Sequence, residues 1–209
     1  MTDDNLTVGL FGTAISAAKK IMGNNFIGPD ELTKIQSSFP VLIPDGIPEI
    51  EFSEQELTEC RDTHVLILCV ELFSDGKPIN IIEIKNIIEK DERVCFYNQD
   101  WYLKECFVKK ELSKKWCLIS KSILEESRGI VPDNSSWLFK AVELTYTFFV
   151  YFFVSEGDIL WKNDYVWCSD IDDKGDQIYV GRYVDASGLN ADGFEIHRHL
   201  KIKHNYGIV

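Results

Sequence analysis

Leu144-Thr145-Tyr146-Thr147-Phe148-Phe149-Val150-Tyr151-Phe152-Phe153-Val154 is the longest apolar run in the chain, and its reading decides the fold. The run is about half the ~20 residues that a membrane-spanning helix requires. Lys140 and Glu143 stand before it and Glu156 and Asp158 after it, so charge closes both ends. Apolar side chains occupy nearly every side of such a helix, which must therefore be covered all round by other elements. Pro132-Asp133-Asn134-Ser135-Ser136 offers capping oxygens. The pattern predicts one buried helix over about 134–154, begun at Asn134 or Ser135 and stopped at Gly157.

Downstream the period changes. Tyr165-Val166-Trp167-Cys168-Ser169 and Gln177 to Val184 are strand-like, joined by a turn-rich stretch from Asp170 to Asp176. A third strand, Gly193 to Leu200, follows a Gly/Asp-rich connection over 185–192. The expectation is a three-stranded antiparallel meander packed on the long helix.

Upstream, Leu6, Leu10, Phe11, Ala14, Ile15, Ala18, Ile21 and Met22 fall at helical spacing. An amphipathic helix over 6–22 is expected, capped by Asn5 and ended by Gly23. Pro29-Asp30-Glu31 opens a shorter helix. Pro40, Pro44 and Pro48 then make regular structure unfavourable, because each lacks an N–H and restricts its predecessor. Ser53-Glu54-Gln55-Glu56 has capping-box spacing, and Asn80 caps a helix whose Ile81, Ile84, Ile87 and Ile88 share a face. His64 to Phe73 and Trp116 to Ser120 read as strands, and Asp100 to Glu105 as one short helical turn. The fold class is α+β: a single domain with a central buried aromatic-rich helix on a C-terminal antiparallel β-meander, with additional N-terminal helices. Its divisions are a helical arm over 1–38, a Pro-rich connection over 39–52 and an α+β core over 53–209.

A chain of 209 residues buries roughly 70% of the surface its unfolded form exposes and needs no staple to fold. Six cysteines occur without a C-x-x-C pair or zinc-ligand spacing. Cys69, Cys117 and Cys168 sit in apolar or Trp-flanked runs as small core hydrophobes. The acidic start, Met1-Thr2-Asp3-Asp4-Asn5, lacks the basic n-region of a signal peptide. A cytoplasmic location is expected. The net charge of −12 repels phosphate backbones and anionic membranes alike. Nucleic acid and membrane are therefore excluded as partners.

Two constellations carry possible chemistry. Asp170, Asp172, Asp173 and Asp176 crowd one turn, but Lys174 and Gly181 occupy positions where a calcium loop needs oxygen ligands. A hairpin turn explains these residues, and no metal is assigned. On a strand, His197 and His199 would share one face, where imidazoles that titrate near neutral pH could serve as acid and base with Asp170 and Asp172. Arg182 would orient an anionic group. Trp101, Trp161 and Trp167 are candidates for the lining of a ligand cleft. No G-x-S-x-G, H-E-x-x-H, P-loop or G-x-G-x-x-G after a strand is present, and no cofactor is expected.

Trp101-Tyr102, the Trp116-x-Leu118-Ile119 strand, Ser127, the apolar helix and Leu160-Trp161 form a pattern with Ser169-Asp170-x-Asp172-x-x-Gly175-Asp176 and Val180-Gly181-Arg182. Over residues 64–200 it resembles a group of uncharacterised bacterial proteins, which implies a bacterial origin and attaches no activity. The leading expectation of function is a non-enzymatic protein-interaction or assembly domain, with a protein partner or self-association. The alternatives are a hydrolase, metal-assisted or acid–base, using the C-terminal His/Asp cluster, and a small-ligand or carbohydrate binder using the tryptophans.

Overall fold

The apolar run forms a helix because its covering elements come from every other part of the chain. The computed structural model describes residues 12–97, 99–132, 136–181, 193–198 and 206–209. Helix α5 spans Ala141–Val154, and twelve of its residues are buried. It packs on both sheets of the fold and on two N-terminal helices.

The first sheet holds β1 (Phe26–Ile27), β2 (His64–Cys69) and β3 (Lys115–Ser120) in the order β1-β2-β3. β1 runs parallel to β2, and β2 is antiparallel to β3 with Leu66 opposite Leu118. β2 is buried from Val65 onward, as its unbroken Val-Leu-Ile-Leu-Cys sequence requires of a strand covered on both faces. The Tyr146 hydroxyl donates to Leu68 O at 3.0 Å and ties α5 to this sheet.

The second sheet has the order β6-β5-β4-β7, with β4 Tyr165–Ile171, β5 Gln177–Gly181, β6 Glu195–His197 and β7 Tyr206–Gly207. β4–β5 and β5–β6 are antiparallel, while β7 lies parallel to β4. Val166, Cys168, Ile178 and Val180 join the main core with α5. Tyr165, Trp167, Tyr179 and Tyr206 alternate to the other face, where they form a second apolar cluster with Leu138. Both ends of the sheet are closed by neighbouring chain. Gly129 N–H donates to Tyr206 O beside β7, and the chain at Phe194, just before β6, exchanges bonds with Cys95 and Tyr97. Gly193 permits that approach: its φ is 81°, and a Cβ there would lie 2.7 Å from the Phe96 carbonyl carbon.

The helices before β3 are α1 (Ile15–Met22), α2 (Pro29–Lys34), α3 (Glu54–Cys60) and α4 (Ile81–Ile88). α2 opens on its proline, α3 uses the Ser53/Glu56 capping box, and Asn80 Oδ1 accepts Glu83 N–H at 2.9 Å to start α4. Ala18, Met22, Leu32 and Phe39, from the expected arm and its end, belong to the same core cluster as α5.

Three expectations differ from this architecture. The central helix begins at Ala141 with Lys140 at its N-cap, several residues after the expected start; Asn134 and Ser135 lie outside the described residues. An acidic side chain from β4 does the capping instead, as described below. The first helix starts at Ile15, because Thr13 is held in an antiparallel bridge to Ile50 and cannot be helical. Its expected cap Asn5 lies outside the described residues. The short β1 and β7 carry too few residues to show a period, and no strand was expected at either place.

Candidate functional site

The candidate residues of the C-terminal sheet divide between its two faces. Asp170 and Asp172 are enclosed, at 1% and 3% exposure. Asp170 Oδ2 accepts the Ala141 N–H at 2.6 Å, and its Oδ1 meets Lys110 Nζ at 2.5 Å. Asp172 Oδ1 accepts N–H bonds from Lys174 and Asp176 at 2.8 Å each, and its other oxygen binds Arg198. Burial pushes the Asp172 carboxyl up, yet the Asp176 amide, Arg198 and the Lys174 amide outweigh it and hold its pKa below the ordinary value. These carboxylates are occupied in closing a turn and a helix end.

His197 stands on the opposite face of the sheet. Its ring stacks on Tyr179 with centroids 6.2 Å apart and planes 16° apart, among the second cluster. Hence Asp170 and His197 are separated by the sheet and cannot act on one substrate atom. His199 and Arg182 lie outside the described residues.

What surrounds His197 is a polar array that sequence reading did not assemble. The buried Glu195 carboxylate accepts the Tyr165 hydroxyl and stands 3.6 Å from His197 Nε2. Trp101 Nε1, which can only donate, gives its proton to Gln99 Oε1 and Ile196 O, each at 3.1 Å. The Gln99 amide nitrogen therefore faces His197 Nε2 at 3.1 Å and donates to it. This places the imidazole proton of the neutral ring on Nδ1. The alternation Glu195-Ile196-His197 was the available signal, because residues two apart on a strand share a face.

The three candidate tryptophans do not line one cleft. Trp161 is 2% exposed, with Nε1 donating to Ser120 O at 2.9 Å beneath β3. Trp167 is 5% exposed in the second cluster, and its Nε1 has no acceptor among the described residues. Trp101 is half-buried, with the Arg198 guanidinium 4.3 Å over its ring. Arg198 also donates to Glu105 Oε1 at 3.2 Å, so it joins the Asp172 turn to the Trp101 segment.

Among the described residues no group of three or more His, Cys, Asp or Glu side chains is placed to hold a metal ion. No described helix is long and apolar enough to cross a membrane.

The connection between β3 and α5 has a different character. Leu124, Ile130, Val131 and Trp137 are 38%, 57%, 41% and 59% exposed, four of the nine large hydrophobic side chains that face solvent among the described residues. The start of the connection, from Leu124 to Arg128, is tied down. Leu124 N–H donates to Ile208 O at 2.8 Å, Ile208 N–H to Ser127 Oγ at 2.9 Å, and Arg128 forks onto Asp164 at 2.9 and 3.3 Å. No family model, curated protein or solved structure matches the chain.

Proposed function

We propose that this chain is a non-enzymatic protein-interaction domain of the bacterial cytoplasm, and that the connection from Leu124 to Trp137 is its contact surface. The observation that carries the reading is the 59% exposure of Trp137 together with the exposure of Ile130 and Val131 in the same connection, in a chain whose core encloses most of its other rings. Exposed apolar groups that cluster in one segment mark interaction sites, and tryptophan is enriched among residues that dominate binding energy. The ties from Leu124, Ser127 and Arg128 favour binding by holding the start of the segment in place beforehand. A net charge of −12 favours a basic partner and opposes a second copy of the same chain.

The test is a reconstituted interaction. A basic protein retained from host lysate at low salt is identified by mass, purified and titrated against the chain. Trp137→Ala is expected to weaken that complex by about 2 kcal/mol, roughly thirtyfold, while the unfolding midpoint stays unchanged. The reading fails if the affinity ignores both Trp137→Ala and Ile130→Ser, or if those variants instead split a homodimer seen by light scattering.

A further inference from the structure

At the C-terminal end of α5 two adjoining cavities of about 590 and 420 Å³ share Tyr151 and Asp158 in their walls. We propose that together they form a binding site for a phosphorylated polyol, with the phosphate in the smaller cavity and the hydroxylated body in the larger.

The smaller cavity is lined by Lys121, Tyr151, Lys162 and the segment Gly157 to Leu160. Lys121 Nζ donates only to the neutral Asn25 Oδ1, at 3.2 Å, and neither lysine has a carboxylate within ion-pairing distance among the described residues. Their charges are available to an incoming oxyanion. The Tyr151 hydroxyl has no partner there, and burial, with Asp158 beside it, pushes its pKa up, so it remains a donor at neutral pH. The N–H groups of Asp158, Ile159 and Leu160 also meet no acceptor among the described residues. Ammonium groups, a phenol and unsatisfied backbone amides together match the acceptor-rich surface of a phosphate.

The backbone in and next to the wall is strained. Glu156, Trp161 and Asn163 have φ of 60°, 49° and 66°, and they are the non-glycine residues with positive φ among those described. A bulky side chain in that region is unusual, and strain of this kind, about 1–3 kcal/mol per residue, gathers where a surface holds a ligand. Trp161 locks the segment through Ser120, so the amides are already arranged before anything binds.

The larger cavity is mixed in charge, with Lys34 in its wall beside the carboxylates. Lys19 is neutralised by Asp30 and Glu31 at 2.9 Å each, and Glu31, Glu156 and the carbonyl end of α5 face the same space. Such a mixed wall suits a neutral hydroxylated body, whose hydroxyl groups can donate to these carboxylates and accept from Asn24 and Lys34. Asp158, which borders both cavities, fits the junction as an acceptor for a hydroxyl next to the phosphate.

Calorimetry on the full chain at low ionic strength, with glucose 6-phosphate, inorganic phosphate and glucose as probes, tests the site. Glucose 6-phosphate is expected to bind more tightly than phosphate, and glucose not at all. Tyr151→Phe should weaken binding roughly fivefold, the worth of one hydrogen bond, and Lys162→Ala, a surface change that leaves the fold intact, at least tenfold. Failure of every probe to bind the wild-type chain would overturn the proposal, as would binding of glucose 6-phosphate that both variants leave unchanged. Phosphate bound as tightly as the sugar phosphate would overturn the assignment of the larger cavity. None of these residues belongs to the segment from Leu124 to Trp137, so this site and the protein-interaction surface stand or fall separately.

Discussion

Asp170 of β4 accepts the backbone N–H of Ala141 at 2.6 Å, so the central helix is capped by a side chain that arrives 29 residues after its first turn. Lys140, at the N-cap, makes no capping bond through its own side chain. Its N–H is taken by Glu143 Oε2 at 2.8 Å. The helix therefore starts where β4 docks.

Asp170→Ala removes the cap acceptor and leaves Lys110 without its partner. Urea unfolding should show a loss of about 1–2 kcal/mol, mostly from the lost cap, because the Lys110 end of the broken ion pair is half exposed and screened by water. Asp170→Asn, which keeps one acceptor oxygen, should lose distinctly less. Equal losses for the two variants would argue against the capping role.

The Asp172 carboxyl has a folded pKa below its unfolded value, so its contribution is complete above the unfolded pKa, near 3.9, and is lost as pH falls through the folded one. Asp172→Asn should be less stable than wild type at pH 7. The two stability curves should converge on acidification below about pH 4. A constant gap down to pH 2 would show that packing, not charge, dominates at this position.

Glu143 is 3% exposed on a helix otherwise packed with rings, and Lys115 Nζ lies 2.7 Å from it. Lys115→Met leaves that carboxylate without its cation, with only the Lys140 N–H bonded to it among the described residues. A destabilisation of about 1–2 kcal/mol in urea unfolding at pH 7 is expected, smaller than for a fully buried pair because Lys115 is nearly half exposed. Lys115→Met combined with Glu143→Leu should recover much of the loss, because an apolar pair of similar volume suits this surrounding.

The thiols should sort by burial. Cys69, Cys117 and Cys168 are buried, with Cys69 and Cys117 sulfurs 3.6 Å apart, whereas Cys106 is exposed. The contact with Cys117 and burial raise the Cys69 pKa well above the usual thiol range, and a bond to Asp173 raises that of Cys106. A disulfide reagent at pH 8 should label Cys106 first but slowly, and the buried three only on unfolding. Labelling of the buried three at the same rate as Cys106 in native buffer would contradict the packing of β2 against β3.

The sequence by itself determined the identity of the central helix, since an apolar run too short for a membrane and closed by charges at both ends has to be covered by protein. It also determined the local caps at Ser53 and Asn80 and the main strands, because capping and alternation act between residues a few positions apart. Only the tertiary structure decided where α5 begins, because its cap comes from β4. It likewise decided that Asp170 and His197 fall on opposite sides of a sheet, and that His197 meets Glu195, Tyr165 and Gln99. The groove at the end of α5 draws Lys19, Lys34, Lys121 and Lys162 from four separate stretches, and no local period connects them. The physical reason is range: helix and strand signals repeat within a few residues, whereas a site is made by side chains that packing brings together from far apart.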